Sequence, residues 1–511
     1  MAKGGSRLWA GGWDARRSLL NNGASLIEPL VAQQRVLGIQ RKLNKWAHDD
    51  QDRRFNDLHN LVCDPVTLQV AWLRVRANRG SRSAGVDGDT AYYVEHRLGV
   101  QQFLSELREE LRTGSYRPLP VRERMIPKRG GKLRRLGIAT IRDRVVQAAV
   151  KLVLEPIFEV DFQPCSYGFR PGRRAQDAIA EVHYLTTRSY EWITEADIQA
   201  CFDELDHAAI LGRVRRRIGD RRVLALVKAF LKAGIMTEHG DLEAQLTGTP
   251  QGGILSPLMA NIALSALDEH FAQAWQQMGD QRRRATRRRH GQPNYRITRY
   301  ADDFVICVHG DRRDAEALIA ETERTIRPLG ITLSAEKTRV AHIDEGIDFL
   351  GWRIQRHRGS KGRRYVYTYP SKRALAAVKA KVKAITQTDH QQTLDQLIHR
   401  LNPVLRGWCA YFRPGVSSRT FNYLRAYTWQ RVVRWLRRKH DKANWRWLRR
   451  RYLPGWWPTD GNTVLFNPGS VGTTRYRYRG NRIPRPWESG YLSQTDPGLS
   501  LDRLQRRLII K

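Results

Sequence analysis

The sequence predicts an α+β protein, on three observations. The segment "EWITEADIQACFDEL" alternates like a strand, two further stretches read as hairpins, and everything beyond "DFLGWRI" turns to long helical patterns rich in Arg, Lys and Trp. In chain order, residues 1–60 are polar and irregular apart from a helical stretch at "VAQQRVLGIQRKLNKWAH", and read as an extension. A helix carrying Leu68, Ala71 and Trp72 follows, then a basic loop that ends at Asp87. "VRERMIPKRGGKLRRLGIATIRDRVVQ" reads as a basic hairpin turning at Gly130-Gly131, with Arg122, Arg124, Lys128, Lys132, Arg134 and Arg135 on its strands. In the alternating segment Trp192, Thr194, Ala196 and Ile198 share one face and Ile193, Glu195 and Asp197 the other, so Asp197 projects away from the mainly apolar side.

Asp206 is placed to cap a helix carrying Ile210, Val214 and Ile218, and Asp220 to cap one carrying Val223, Leu226, Val227, Phe230 and Leu231. "GTPQGGILSPLMANIALSALDEHF" is a Gly-Pro turn feeding a helix, and the like-charged "RRRATRRRHG" reads as a solvated loop. Residues 297–308 form a hairpin around Asp302 and Asp303. The tail "TTRYRYRGNRIP" alternates Arg475, Arg477 and Arg479 with Tyr476 and Tyr478, the pattern of a strand with one cationic face. No internal repeat is evident.

Charge narrows the function. Over 511 residues, 89 Lys+Arg against 51 Asp+Glu leave a net charge of +38, enough self-repulsion to call for a polyanionic partner, with nucleic acid the default. A membrane partner is not expected, because no apolar run approaches the roughly 20 residues a spanning helix needs. The N-terminus lacks the apolar core of a signal peptide, and Cys63, Cys165, Cys201, Cys307 and Cys409 are scattered without C-x-x-C spacing. A disulfide framework and a zinc module are therefore not expected, and a reducing, cytoplasmic setting is.

Asp302 and Asp303 pose the chemical question. Two carboxylates side by side in a tight turn are costly unless a cation sits against them. A divalent metal is the economical answer, with a third acid from a neighbouring strand and nucleotide phosphates completing the oxygen donors. Asp197 suits that role. A lone Asp at a strand end is as readily a turn former.

Taken together, "YADD" (300–303), "DIQACF" (197–202) and "TPQGGILSPLMANIAL" (249–264) resemble a reverse transcriptase. More narrowly, the chain resembles the group II intron-encoded reverse transcriptase/maturase family through "RRLGIATIRDRVVQ" (134–147), "SYGFRPGRRAQDAI" (166–179), "LSAEKTRV" (333–340), "DFLGW" (348–352) and "LNPVLRGWCAYFR" (401–413). The resemblance runs in family order from about residue 60 to 490. It implies a right-hand polymerase, with fingers and palm built on antiparallel sheet, a mainly helical thumb or maturase domain, and a small basic C-terminal DNA-binding segment. The corresponding boundaries are an N-terminal extension over 1–59, fingers over 60–190, palm over 191–358, thumb over 359–452 and the DNA-binding region over 453–511.

The same resemblance implies residue roles. Asp197 and Asp302 would bind two Mg²⁺ ions, for which Mn²⁺ is a substitute, with Asp303 as a supporting ligand. Phe202 would be the ring that excludes a ribose 2′-hydroxyl. Lys128 and Arg134 would grip the incoming deoxynucleoside triphosphate, although Arg135 stands where the family has proline, which leaves open which arginine reaches in. Gln251 would contact the nucleotide and Lys337 the pyrophosphate. Arg170 and Arg173 would hold the template backbone, the turn at Gly351 the primer end, Arg406 and Trp408 folded RNA, and Arg475 and Arg477 DNA phosphates. The implied partners are a group II intron RNA, template RNA and a DNA primer or target. Many relatives continue into a Cys-containing endonuclease; Cys409 is the last cysteine here, so no such module is expected. Two other readings remain: a related reverse transcriptase recruited to host defence or repair, and a splicing maturase without an essential polymerase role.

Overall fold

The structure, a computed structural model, describes residues 26–127, 133–359, 361–387 and 391–488. The basic hairpin pairs β1 (Val121–Pro127) with β2 (Leu133–Ile138) in antiparallel register from Arg122↔Ile138 to Pro127↔Leu133. Its expected Gly130-Gly131 turn lies outside the described residues. Two further short strands, β4 (Ile235–Met236) and β5 (Leu242–Glu243), extend that sheet, β4 running parallel to β1.

The central sheet has the order β6-β7-β3-β8, with β3 Trp192–Asp197, β6 Asn294–Tyr300, β7 Asp303–His309 and β8 Arg339–His342, all antiparallel. It is buried on both faces. Ala196, Phe304, Ile306 and Val308 join a core shared with the helices Pro29–Asp49, Ile141–Asp161 and Ser256–Gln277. Ile193, Val305, Cys307 and Ala341 join a second core shared with the C-terminal helices. This explains the unbroken apolar run "FVICV", which a half-solvated strand would not tolerate. On the Asp197 face Ile193 is fully buried as well, so that face opens toward its Asp197 end.

A third sheet, β11-β10-β9, follows, with β9 Ile347–Phe349, β10 Trp352–Arg358 and β11 Arg364–Pro370. Beyond it the helices Lys372–Gln387, Leu394–Phe412, Ser418–Lys439 and Trp445–Tyr452 bury Val378, Leu401, Leu405, Trp435 and Leu448 against one another. The chain is thus the α+β, right-hand polymerase architecture with a helical C-terminal half.

Asp206 and Asp220 cap their helices as expected, accepting from Ala209 N and from Arg222 N and Val223 N. Three local expectations change. The Pro29–Asp49 helix is no appendage: Gln40 and Asn44 donate to the Leu152 and Pro156 carbonyls, both at 2.8 Å, and Val36 and Leu43 are buried in the main core. "RRRATRRRHG" is mostly helical, Gln281–Arg289, capped by Asp280 and steadied by Arg284 over the Trp275 ring. The Arg/Tyr tail is irregular, because its tyrosines bond to side chains of the Ala175–Thr186 helix and its backbone joins no sheet. Among the described residues no helix is long and apolar enough to cross a membrane, and all five cysteines are buried and unpaired.

Candidate active site

Sheet register brings the acids together. Asp197 ends β3 directly opposite Asp303, the first residue of β7, and Tyr300↔Asp303 closes a two-residue turn at Ala301 and Asp302. Like charges placed directly opposite destabilise a sheet, and the cost shows in the titration. Burial, and then the Asp197 carboxylate, raise Asp302; burial, Asp302 and Asp197 push Asp303 up to about 7. Among the described residues no three His, Cys, Asp or Glu side chains form a finished metal cage. Lys337, from the turn before β8, bonds to Asp197, and that bond together with the three acids raises its own pKa.

These shifts carry a sign. Asp303 holds its proton in the folded protein above the ordinary value of 3.8, so without metal the fold loses stability as pH rises from about 4 to 7, and the deficit is complete above that. Asp303→Asn, which cannot ionise, is expected to raise Tm above wild type at about pH 8 in chelator, with the difference vanishing near pH 4. Differential scanning fluorimetry across that range checks it; an equal or lower Tm at the alkaline end would show that the carboxyl carries no such strain.

A buried polar network, unsuspected from the sequence, fixes the turn. Arg299 on β6 is fully buried and donates to Asp268 (Nε, 2.8 Å), Asn261 Oδ1 (3.0 Å), Ser166 Oγ (2.8 Å) and the Ala301 carbonyl (2.8 Å). Asn261 passes its amide to the Gly168 carbonyl at 2.9 Å. Ala301 has φ +59°, a strained value for a residue with a Cβ. Gly168 packs so close that a Cβ there would meet Ala301 N at 2.3 Å, so only glycine fits behind the turn. The sequence gives no local signal for it, since β6 reads NYRITRY, a mix of polar and apolar residues in which a second arginine does not stand out.

The nucleotide-side residues line up in part. Arg134 on β2 donates to Gln251 Oε1 at 2.6 Å, and Gln251 Nε2 donates to Asp203 Oδ2 at 3.1 Å. Arg135 points elsewhere, pairing with Glu123 and Glu243, so of the two arginines Arg134 is the one at the site. The Gln251 loop is pinned by Thr249 N to the Phe202 carbonyl (2.5 Å) and Gly137 N to the Gln251 carbonyl (2.8 Å). Gly252, at φ +112°, would put a Cβ 2.9 Å from the Gly137 carbonyl oxygen. Phe202 is half-buried, its ring edge-on to Phe169 at 6.5 Å; Phe169 is itself exposed at φ +55°. Lys128 lies outside the described residues.

Several expected contacts fall elsewhere. Arg170 is buried and its guanidinium is consumed internally, by Glu159 at 2.6 Å and by the Gln163 and Ser166 carbonyls, so it does not face a template. Arg173 is buried beside it, donating to the Pro164 carbonyl at 2.9 Å, and burial lowers its pKa to about 10. Both arginines build the loop that carries Gly168. Trp408 packs on Phe412 and Phe421 inside the helical domain, while Arg406 is exposed over Phe466. Gly351, at φ +81°, forms the tight turn between β9 and β10, where Tyr411 donates to the Leu350 carbonyl at 2.9 Å. Arg475 and Arg477 are exposed, because Tyr476, Tyr478 and Arg479 turn inward to Asp177 and Glu181.

Comparison with known proteins agrees with this arrangement. Residues 126–354 match the reverse transcriptase (RNA-dependent DNA polymerase) model and residues 375–453 the group II intron maturase-specific domain. The chain is 38% identical to protein YkfC of Escherichia coli over 66% of its own length and 93% of that protein. It is 30% identical to the group II intron-encoded protein LtrA of Lactococcus lactis over 63% of its own length and 60% of LtrA. A 91 kDa protein in a cob intron of Schizosaccharomyces pombe is 28% identical over 66% of this chain and 48% of that one.

Proposed function

Because the chain belongs to the group II intron-encoded reverse transcriptase/maturase family, we propose that it copies RNA into DNA by a two-metal mechanism, assists splicing of its own intron RNA, and supports retrohoming by target-primed reverse transcription. The observation that carries the polymerase reading is the register Asp197↔Asp303 with Asp302 at the adjoining turn. Three oxygen donors sit at one open sheet end, at a cost in mutual repulsion that divalent cations would remove. Asp197, Asp302 and Asp303 are the residues that would hold two Mg²⁺ ions, which when bound would supply Lewis-acid charge at the primer 3′-hydroxyl and the departing pyrophosphate.

The protein's own groups do the remainder. Arg134, already held over the site by Gln251, meets the triphosphate as a planar multidentate donor. Lys337, which bonds to Asp197, would be the cation nearest the acids available to the pyrophosphate. Phe202 precedes Asp203, its carbonyl accepting from Thr249 N of the Gln251 loop, and its ring is the one that would exclude a ribose 2′-hydroxyl. Phe202→Ala is expected to relax discrimination against ribonucleoside triphosphates by about 10- to 100-fold in kcat/KM with little change for deoxynucleotides. Steady-state incorporation kinetics check this; unchanged discrimination would return the ring to a packing role.

Intron RNA, template RNA and a DNA primer are the proposed partners. Primer extension on an RNA template with and without Mg²⁺, alongside a splicing assay on a precursor RNA carrying the sequence that flanks the reading frame, tests both halves. Extension without splicing stimulation would favour the defence or repair reading, and the reverse a maturase with no essential polymerase role.

A further inference from the structure

The hairpin β10–β11 carries a row of rings on the face opposite its buried residues. Val366 lies in the core, and alternation puts Tyr365, Tyr367 and Tyr369 together on the other side of β11. Register sets His357 opposite Tyr365, Gln355 opposite Tyr367 and Arg353 opposite Tyr369 on β10. The Tyr365 and Tyr367 rings are nearly parallel, at 4° and 6.3 Å between centroids, and His357 lies 5.4 Å from Tyr367 and 5.9 Å from Tyr369. Tyr369 donates to Gln355 Oε1 at 2.8 Å, which holds the inner end of the row fixed, while Tyr365 at the outer end is 43% exposed. Hydrophobic burial does not account for three tyrosines half in water.

Charge says what would cover them. From Phe349 to Thr388 the sequence contains no Asp or Glu, and Arg358, Lys361, Arg363 and Arg364 crowd the exposed end of the hairpin. An aromatic ladder on a sheet, its exposed end crowded by cations and its nearby Asp348 already paired with Arg353 at 3.2 Å, is complementary to a strand of unstacked bases with their phosphates. The six residue steps from the Gly351 turn to the His357↔Tyr365 pair set the outer ring about 20 Å from the expected primer end, too far for the reacting nucleotides. Product DNA is paired with its template and hides its base faces. The loops of a folded RNA do not.

We propose that Tyr365, Tyr367 and Tyr369 form a stacking platform for single-stranded bases of the RNA partner, distinct from the polymerase cleft. The proposal rests on the family reading for the presence of an RNA partner, and its test leaves that reading separately measurable.

The full-length protein, its cleft first saturated with a DNA-primed RNA template, is irradiated with a short single-stranded RNA bearing 5-iodouridine, and the crosslinked peptides are mapped. Crosslinks within 364–370 are expected. Replacing Tyr365 and Tyr367 by Ala is expected to weaken that RNA about tenfold or more, with Tyr→Phe replacements retaining affinity because the ring is kept. Primer extension by the Ala variant stays near wild type, which also shows that it folds. Crosslinks confined to other peptides, or unchanged affinity in the Ala variant, would overturn the platform without touching the polymerase assignment. Equal capture of single-stranded DNA at the same peptide would overturn the commitment to RNA.

Discussion

Asp302→Ala is expected to abolish primer extension on an RNA template, by about a thousandfold or more, while RNA affinity changes by less than twofold. Removing a ligand forfeits several kcal/mol of charge stabilisation at the reacting phosphate, and each ~1.4 kcal/mol is a factor of ten. RNA affinity survives because the +38 net charge is spread over the whole chain, and one carboxylate among it is if anything repulsive. Single-turnover extension and filter binding on the same preparation separate the two effects. Extension within tenfold of wild type would remove Asp302 from the metal set, and the copying mechanism with it.

Arg299→Leu is expected to cost about 3–5 kcal/mol in unfolding free energy. It strands the fully buried Asp268 carboxylate and releases the Ala301 carbonyl together with Asn261 and Ser166. Urea denaturation measures it. Adding Asp268→Leu in the same chain is expected to recover part of the loss, since the second change removes the stranded charge; strict additivity of the two would contradict the network.

These two residues mark where sequence reading stops. Asp302 was legible because like charges in a turn raise a local question with a local answer, and the motif order supplied the rest. The strands, the two Asp helix caps and the helical C-terminal half were legible for the same reason, each being encoded within a dozen residues. Arg299 was not, since its partners lie 31, 38 and 133 positions away in sequence. Arg170 and Arg173 misled in the opposite sense: an arginine beside Gly and Pro looks like a solvent-facing cation, and only the fold reveals Glu159 waiting for it. The helix at Gln281–Arg289 was obscured by uniform charge, although Asp280 stood at its cap.

The tail latch bears on how the protein is made. Asp177 and Glu181 are buried in a helix near the middle of the chain, and Tyr476, Tyr478 and Arg479 reach back to them across about 300 positions. As the polypeptide leaves the ribosome, Asp177 has no cation in this arrangement until nearly the last stretch emerges. The contact of the Ala175–Thr186 helix with the tail is therefore among the last to form during synthesis.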